Sequence, residues 1–172
     1  RGYYLALVPL ILLLMVSIYV RIDEYGVTIN RYLVATLAVW LTGIVVYFIG
    51  SRKRDIRMIP LSLLGMSLLI SGGPLGAFSV SERSQVKRFE HLMKSNGRLD
   101  EQGMVITGVE LPDAAELQEI SSVVMYLTEH HGYQMFEKYT DESLFPHSPN
   151  DGESYEPGAY DISKNVMAAF GL

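Results

Sequence analysis

The stretch Tyr3-Tyr-Leu-Ala-Leu-Val-Pro-Leu-Ile-Leu-Leu-Leu-Met-Val-Ser-Ile-Tyr-Val20 decides how the rest of this chain is read. From Gly2 to Val20 nineteen consecutive residues carry no charge, and a helix of about 20 apolar residues crosses the roughly 30 Å hydrocarbon layer of a bilayer. Two further uncharged runs follow, Tyr32 to Ser51 with 20 residues and Met58 to Ser81 with 24. The seven Lys or Arg and three Asp or Glu of the first 80 residues are confined to three patches, at Arg1, Arg21 to Arg31 and Arg52 to Arg57. One run of this length suits a buried core helix of a soluble domain. Three in succession predict three transmembrane helices, over about 2–20, 32–50 and 58–78.

Tyrosines mark the ends of these runs, where a ring can be apolar on one side and wet at its hydroxyl. Laid antiparallel, the first two helices put Tyr19 and Tyr32 at one interface, and Tyr3, Tyr4, Tyr47 and Phe48 at the other. Trp40 falls mid-span and is expected to pack against a neighbouring helix. The third run opens near Pro60, tolerated in a first turn, and is interrupted at Gly72-Gly73-Pro74. It reads as a complete span with a kink or frayed end, with a re-entrant segment as the other possibility. Arg52, Lys53, Arg54 and Arg57 fill one short loop, which the positive-inside rule assigns to the cytoplasm and which puts the rest of the chain outside. On the other side Arg21, Arg31, Arg83, Lys87 and Arg88 equal the five basic residues of the proposed inner side, Arg1 included.

From Ser81 onward seven Lys or Arg face sixteen Asp or Glu, a formal net charge of −9. Residues 81–172 are therefore expected to form a small, acidic, water-facing, mostly helical α+β domain, giving a mainly α chain as a whole. Nucleic acid is excluded as a partner, because phosphate binding needs clustered positive charge. With no cysteine, disulfides, thiol catalysis and Cys-ligated zinc are excluded too. The chain opens on Arg with no small-x-small cleavage site, so we expect a piece of a longer protein and no signal peptide.

Ser79-Val-Ser-Glu82 matches a capping box and predicts a helix with an apolar stripe of Val86, Phe89, Leu92 and Met93, ending near Ser95-Asn96-Gly97. Met104 to Val109 reads as a short β-leaning segment. Asp113 opens a helix whose Leu117, Ile120, Val124 and Leu127 share one face, with Val123 beside them, closed by Gly132. An irregular loop is expected from Tyr139, then a last helix near Ile162 to Phe170.

Arg21-Ile-Asp-Glu-Tyr-Gly-Val-Thr-Ile-Asn-Arg-Tyr32 holds two arginines, Tyr25 and Thr28 in a connection between spans, and Gly26 supplies a positive-φ turn. Arg21, Tyr25, Thr28 and Arg31 are thus candidates to grip an anionic group such as a lipid headgroup. The same segment also reads as a rigid turn whose arginines pair with Asp23 and Glu24. Arg83 and Gln85, near where the third run ends, are candidates for contact with lipid phosphate, or else belong to an ordinary solvated helix start. His130 and His131 point about 100° apart on a helix and do not share a metal. Asp151-Gly-Glu153 lacks the ligand spacing of an EF-hand, so neither a metal nor a cofactor is expected. No Gly-x-Ser-x-Gly, Ser-x-x-Lys or Gly-rich phosphate loop is present, and no catalytic residue is named.

Three stretches, Arg21 to Tyr32, Gly73-Pro-Leu-Gly-Ala-Phe-Ser-Val-Ser-Glu-Arg-Ser-Gln85 and Ile120-Ser-Ser-Val-Val-Met-Tyr-Leu-Thr-Glu-His-His-Gly132, resemble a bacterial membrane family catalogued as domain of unknown function 4153. The resemblance implies a multi-pass inner-membrane protein with further helices upstream, and it brings no reaction. The leading expectation is a non-enzymatic binding or sensing component whose partners are the lipid bilayer and another membrane or envelope protein. A transporter is the alternative, weakened by the absence of charge within the spans. An enzyme ranks third.

Overall fold

A computed structural model describes residues 2–51, 55–106, 108–139 and 158–172. Among the described residues six α-helices and one 3₁₀ turn fall into two compact units, Arg1–Ser84 and Gln85–Leu172. The boundary expected from charge, Val80/Ser81, falls four residues earlier. The cluster Arg52–Arg54, residue 107, and the segment 140–157 with His147 and Asp151-Gly-Glu153 lie outside the described residues.

In the first unit α1 (Gly2–Tyr25) and α2 (Ile29–Gly50) are joined by three residues, too few for anything but an antiparallel hairpin. Gly26 ends α1 at φ +71°, its N–H bonded to the Ile22 carbonyl at 2.9 Å, and Thr28 caps α2 by accepting the Arg31 N–H. At the far end of the hairpin Tyr4 stacks on Phe48 with ring centroids 4.9 Å apart, and Tyr3 and Tyr47 pack edge-on against the pair. The seam between the helices buries Ile11, Ala38, Val45 and Phe48, and most other apolar side chains of both helices point outward.

The third helix corrects the sequence reading. Here α3 (Met58–Ser71) has 14 residues, about 21 Å at 1.5 Å per residue, which falls short of a bilayer core. Among the described residues two helices, and not three, are long and apolar enough to cross a membrane. The physical reason is the Gly72–Gly76 turn. Gly73 adopts φ +74°, Pro74 has no N–H to continue a helix, and the Gly76 N–H closes the turn on the Gly73 carbonyl at 3.0 Å. Trp40 Nε1 of α2 donates to Ser62 Oγ of α3 at 3.0 Å.

After this turn α4 (Ala77–Ser95) begins two residues before Ser79, so Ser79 lies within the first turn instead of capping it. In the second unit the latter part of α4, α5 (Ala114–His131) and α6 (Ala159–Ala169) surround a core of Phe89, Met93, Ile120, Val124, Leu127, Phe136, Val166 and Phe170. Asp113 Oδ1 caps α5 by accepting the Glu116 N–H at 2.7 Å, and Gly132 at φ +79° ends it. The 3₁₀ turn Gln134–Tyr139 carries Phe136 and Tyr139 into this core, a contribution absent from the sequence reading.

The expected α+β character is likewise corrected. Among the described residues there is no strand, only one antiparallel bridge between Leu99 and Val105. Gly103 and Gly108, both at positive φ, bend the chain on either side of the β-leaning residues. The Val105 N–H then bonds to the Tyr139 carbonyl at 2.9 Å, leaving no ladder to propagate.

Candidate functional site

The end of the first unit that contains the α1–α2 turn gathers several polar groups. Arg31 Nη1 donates to the carbonyls of Tyr25 at 3.2 Å and Gly26 at 3.0 Å, so its cation sits at the negative C-terminus of α1. Its guanidinium carbon lies 5.3 Å from the centre of the Tyr25 ring. The Val27 N–H donates to Ser84 Oγ at 2.9 Å, and the Tyr32 hydroxyl to the Leu75 carbonyl at 2.6 Å. Arg83 Nε donates to the Ser79 carbonyl at 3.0 Å and its Nη2 to the Pro74 carbonyl. The α1–α2 turn, the 72–76 turn and the start of α4 are thereby tied together by donors that find backbone carbonyls or a hydroxyl.

Five of the six singled-out residues therefore belong to one unit and one end of it. Tyr25, Thr28 and Arg31 build the turn. Arg21, one helical turn before Tyr25, is exposed, and Arg83 is exposed on α4. Gln85 stands apart, 3% exposed and in the other unit. Arg31 Nη1 is held by main-chain carbonyls, partners that the side-chain pattern did not name.

The second unit holds two arrangements that motif reading missed. Arg98 is fully buried, with Nη1 donating to the carbonyls of Phe170 at 2.9 Å and Gly171 at 3.2 Å, and Nη2 to those of Val109 and Glu110, each at 3.1 Å. Its Nε has no partner among the described residues. Glu90 Oε1 accepts the Tyr139 hydroxyl at 2.7 Å and Lys138 Nζ at 3.4 Å. The Tyr139 hydroxyl holds the Glu90 carboxyl below its usual range against the opposing effect of burial, and Lys138 assists. Burial first, then the Glu90 acceptor, pushes the Tyr139 hydroxyl far above the ordinary tyrosine range. His130 stacks on Tyr126 with centroids 4.5 Å apart, and no group of three potential metal ligands exists among the described residues.

These features define a helical protein with two apolar helices of spanning length, a polar turn at one end of their hairpin and a separately packed helical unit. The chain belongs to the family described as domain of unknown function (DUF4153), whose model matches residues 2–100. It is 31% identical over 102 residues to an uncharacterized protein of Pasteurella multocida (strain Pm70), a match covering 59% of this chain and 17% of that protein. The chain thus spans a small part of its relative's length. No solved structure matches it.

Proposed function

We propose that this chain is the membrane-embedded and adjoining water-facing part of a multi-pass integral protein of the bacterial inner membrane, acting as a non-enzymatic binding or sensing component. One observation carries the reading. Of the most apolar stretch of α1 only 6% is buried, and of α2 only 17%, whereas a core helix of a soluble protein is mostly buried. Leu5, Leu10, Leu12, Leu13, Val16 and Val20 of α1 are all more than half exposed. Moving that surface from water into lipid stabilises the hairpin by roughly 5–10 kcal/mol, taking about 1.5–3 kcal/mol for each fully buried side chain. The loop holding Arg52 to Arg57 lies on the cytoplasmic side in this reading, and residues 81–172 outside, where a second envelope protein can dock.

At the headgroup level Arg21 and Arg83 meet anionic groups, while Arg31, Tyr25 and Thr28 hold the turn that presents them. Gln85, buried in the other unit, takes no part. Alkaline extraction of membranes from cells expressing the full protein tests the core claim: the chain should stay with the pellet, and release into the supernatant would sink it. Alkaline phosphatase fused after Leu172 should be active if the second unit is external.

A transport role is the second reading, favoured by α3, an apolar helix that stops at Gly72-Gly73-Pro74 after less than a full crossing. Solute uptake by the full protein in liposomes separates it from the first.

A further inference from the structure

Helix α3 is not only short but set off-centre beside α2. Two hydrogen bonds within the first unit fix its register: the Tyr32 hydroxyl, near the start of α2, donates to the Leu75 carbonyl just beyond α3, and Trp40 Nε1, further along α2, donates to Ser62 Oγ near the start of α3. The two helices are therefore antiparallel. Ser71 comes back toward the α1–α2 turn, and Met58 points toward the end where Tyr4 stacks on Phe48. From the level of Trp40, α2 runs on to Gly50, about 15 Å, whereas from Ser62 α3 runs back to Met58, about 6 Å, so α3 starts about 9 Å short of the end of α2. Side chains lean toward the N-terminus of their own helix, so Trp40 reaches toward the α1–α2 turn and Ser62 away from it, which only widens the shortfall.

The residues before Met58 do not make up this difference. The Met58 N–H bonds to the Asp55 carbonyl at 3.2 Å and the Ile59 N–H to the Ile56 carbonyl at 3.1 Å, while Asp55 Oδ1 accepts the Arg57 N–H at 3.0 Å. A turn bonded in this way rises about 2.0 Å per residue and carries Asp55 only about 6 Å beyond Met58. Asp55, Ile56 and Arg57 are all exposed, and the Arg57 guanidinium has no hydrogen-bond or ion-pair partner among the described residues. A carboxylate and a guanidinium thus stand within the slab that α2 spans, beside a helix whose Leu61, Leu64 and Leu68 point outward. Charge inside hydrocarbon is costly, and a bilayer relieves it by thinning locally and admitting water; an apolar surface too short for the slab calls for the same response.

We propose that the phospholipid headgroup layer at the Tyr47 end of the hairpin dips inward along α3 to meet Asp55 and Arg57, so that the protein thins the bilayer on one side only. This rests on the membrane reading above. Headgroups and their water are the occupant that the charges and the missing length of α3 both require.

The chain has no cysteine and one tryptophan, so single nitroxide labels can be read for depth and for distance to Trp40. Met58→Cys, Gly50→Cys and Val46→Cys are labelled and the chain is reconstituted in phosphatidylcholine nanodiscs. Val46 is 64% exposed on α2 and lies about 6 Å inward from Gly50, less deep than Met58. The Met58 label should nevertheless match the Gly50 label in accessibility to a water-soluble relaxation agent and exceed the Val46 label several-fold. A Met58 label as shielded as Val46, whether by acyl chains or by another polypeptide segment, overturns the proposal. The nitroxide at Met58 should also quench Trp40 emission several-fold more than the one at Gly50. Equal or weaker quenching would place the start of α3 at the surface and overturn the proposal as well. Asp55→Asn/Arg57→Gln keeps the Oδ1 acceptor of the turn and should lower the accessibility of the Met58 label several-fold, and no change would show that these charges do not hold the headgroups inward. Each of these results in an embedded chain leaves the membrane reading standing, whereas a chain that fails to enter nanodiscs defeats that reading and the proposal together.

Discussion

Four main-chain carbonyl oxygens accept hydrogen bonds from the buried guanidinium of Arg98 and stand in for the water it has lost. Taking a guanidinium out of water costs several kcal/mol, and the arrangement holds because each carbonyl would otherwise lack a donor in the interior. Two of the four close the C-terminal end of α6, where the helix dipole favours a cation. Arg98→Met should therefore destabilise the second unit by about 3 kcal/mol, the sum of several orphaned acceptors less the recovered desolvation. Arg98→Lys should recover only part, since an ammonium cannot fork to two separate pairs of carbonyls. Denaturant midpoints of the purified chain in detergent check both, and equal stability of wild type and Arg98→Met would refute the role. Gly76 is a second residue-scale case. A Cβ there would lie 3.1 Å from the backbone of Gly72 and Gly73, atoms that cannot swing aside, so Gly76→Ala should cost about 1–3 kcal/mol and loosen the turn, read as faster amide exchange at Val80.

Contacts between elements carry the next predictions. The chain has a single tryptophan, so the emission of Trp40 reports directly on the α2–α3 contact. Ser62→Ala removes the acceptor of its N–H and should blue-shift that emission while costing about 1 kcal/mol, typical of a net intramolecular hydrogen bond. The contact of α4 with the 3₁₀ turn is sensitive to pH at both extremes. Glu90 titrates below its ordinary 4.5 in the folded chain, so its contribution is present above that pH and is lost as pH falls through the folded value. Tyr139 titrates above its ordinary 10.0, so its contribution is present below about pH 10 and is lost as pH rises toward the higher folded value. Tyr139→Phe should remove the high-pH loss and reduce the low-pH one, measured as the denaturant midpoint against pH. An unchanged profile would show that the Glu90–Tyr139 bond contributes nothing.

For the molecule as a whole, length and composition made the first two helices legible. An uncharged run of nineteen residues has few structural outcomes, and the tyrosine and phenylalanine ends foretold the Tyr4–Phe48 stack. The same reasoning overcounted at α3, because an uncharged run of 24 residues looks continuous by composition although its Gly-Gly-Pro interrupts the backbone geometry. At the α1–α2 turn Gly26, Thr28 and the two arginines stood out as a unit, yet the sequence could not say that Arg31 bonds to main-chain carbonyls. Every residue has a carbonyl, so no side-chain pattern marks which ones converge. Alkaline extraction that retained the full protein, together with loss of retention on replacing Leu10, Leu12 and Leu13 by Ser, would tie membrane residence to the outward face of α1.

Local covalent chemistry determined by itself where helices could start and stop. Asp113, Thr28, Gly26 and Gly132 act on neighbours within four positions, and those distances are fixed by the chain. Only the tertiary structure decided that Met104 to Val109 forms one bridge instead of a strand, that the 3₁₀ turn completes the second core, and that Arg98 is buried among carbonyls from Val109 to Gly171. The reason is that these outcomes depend on partners from six to more than seventy residues away, whose approach is set by packing and by the need of every buried polar group for a bond.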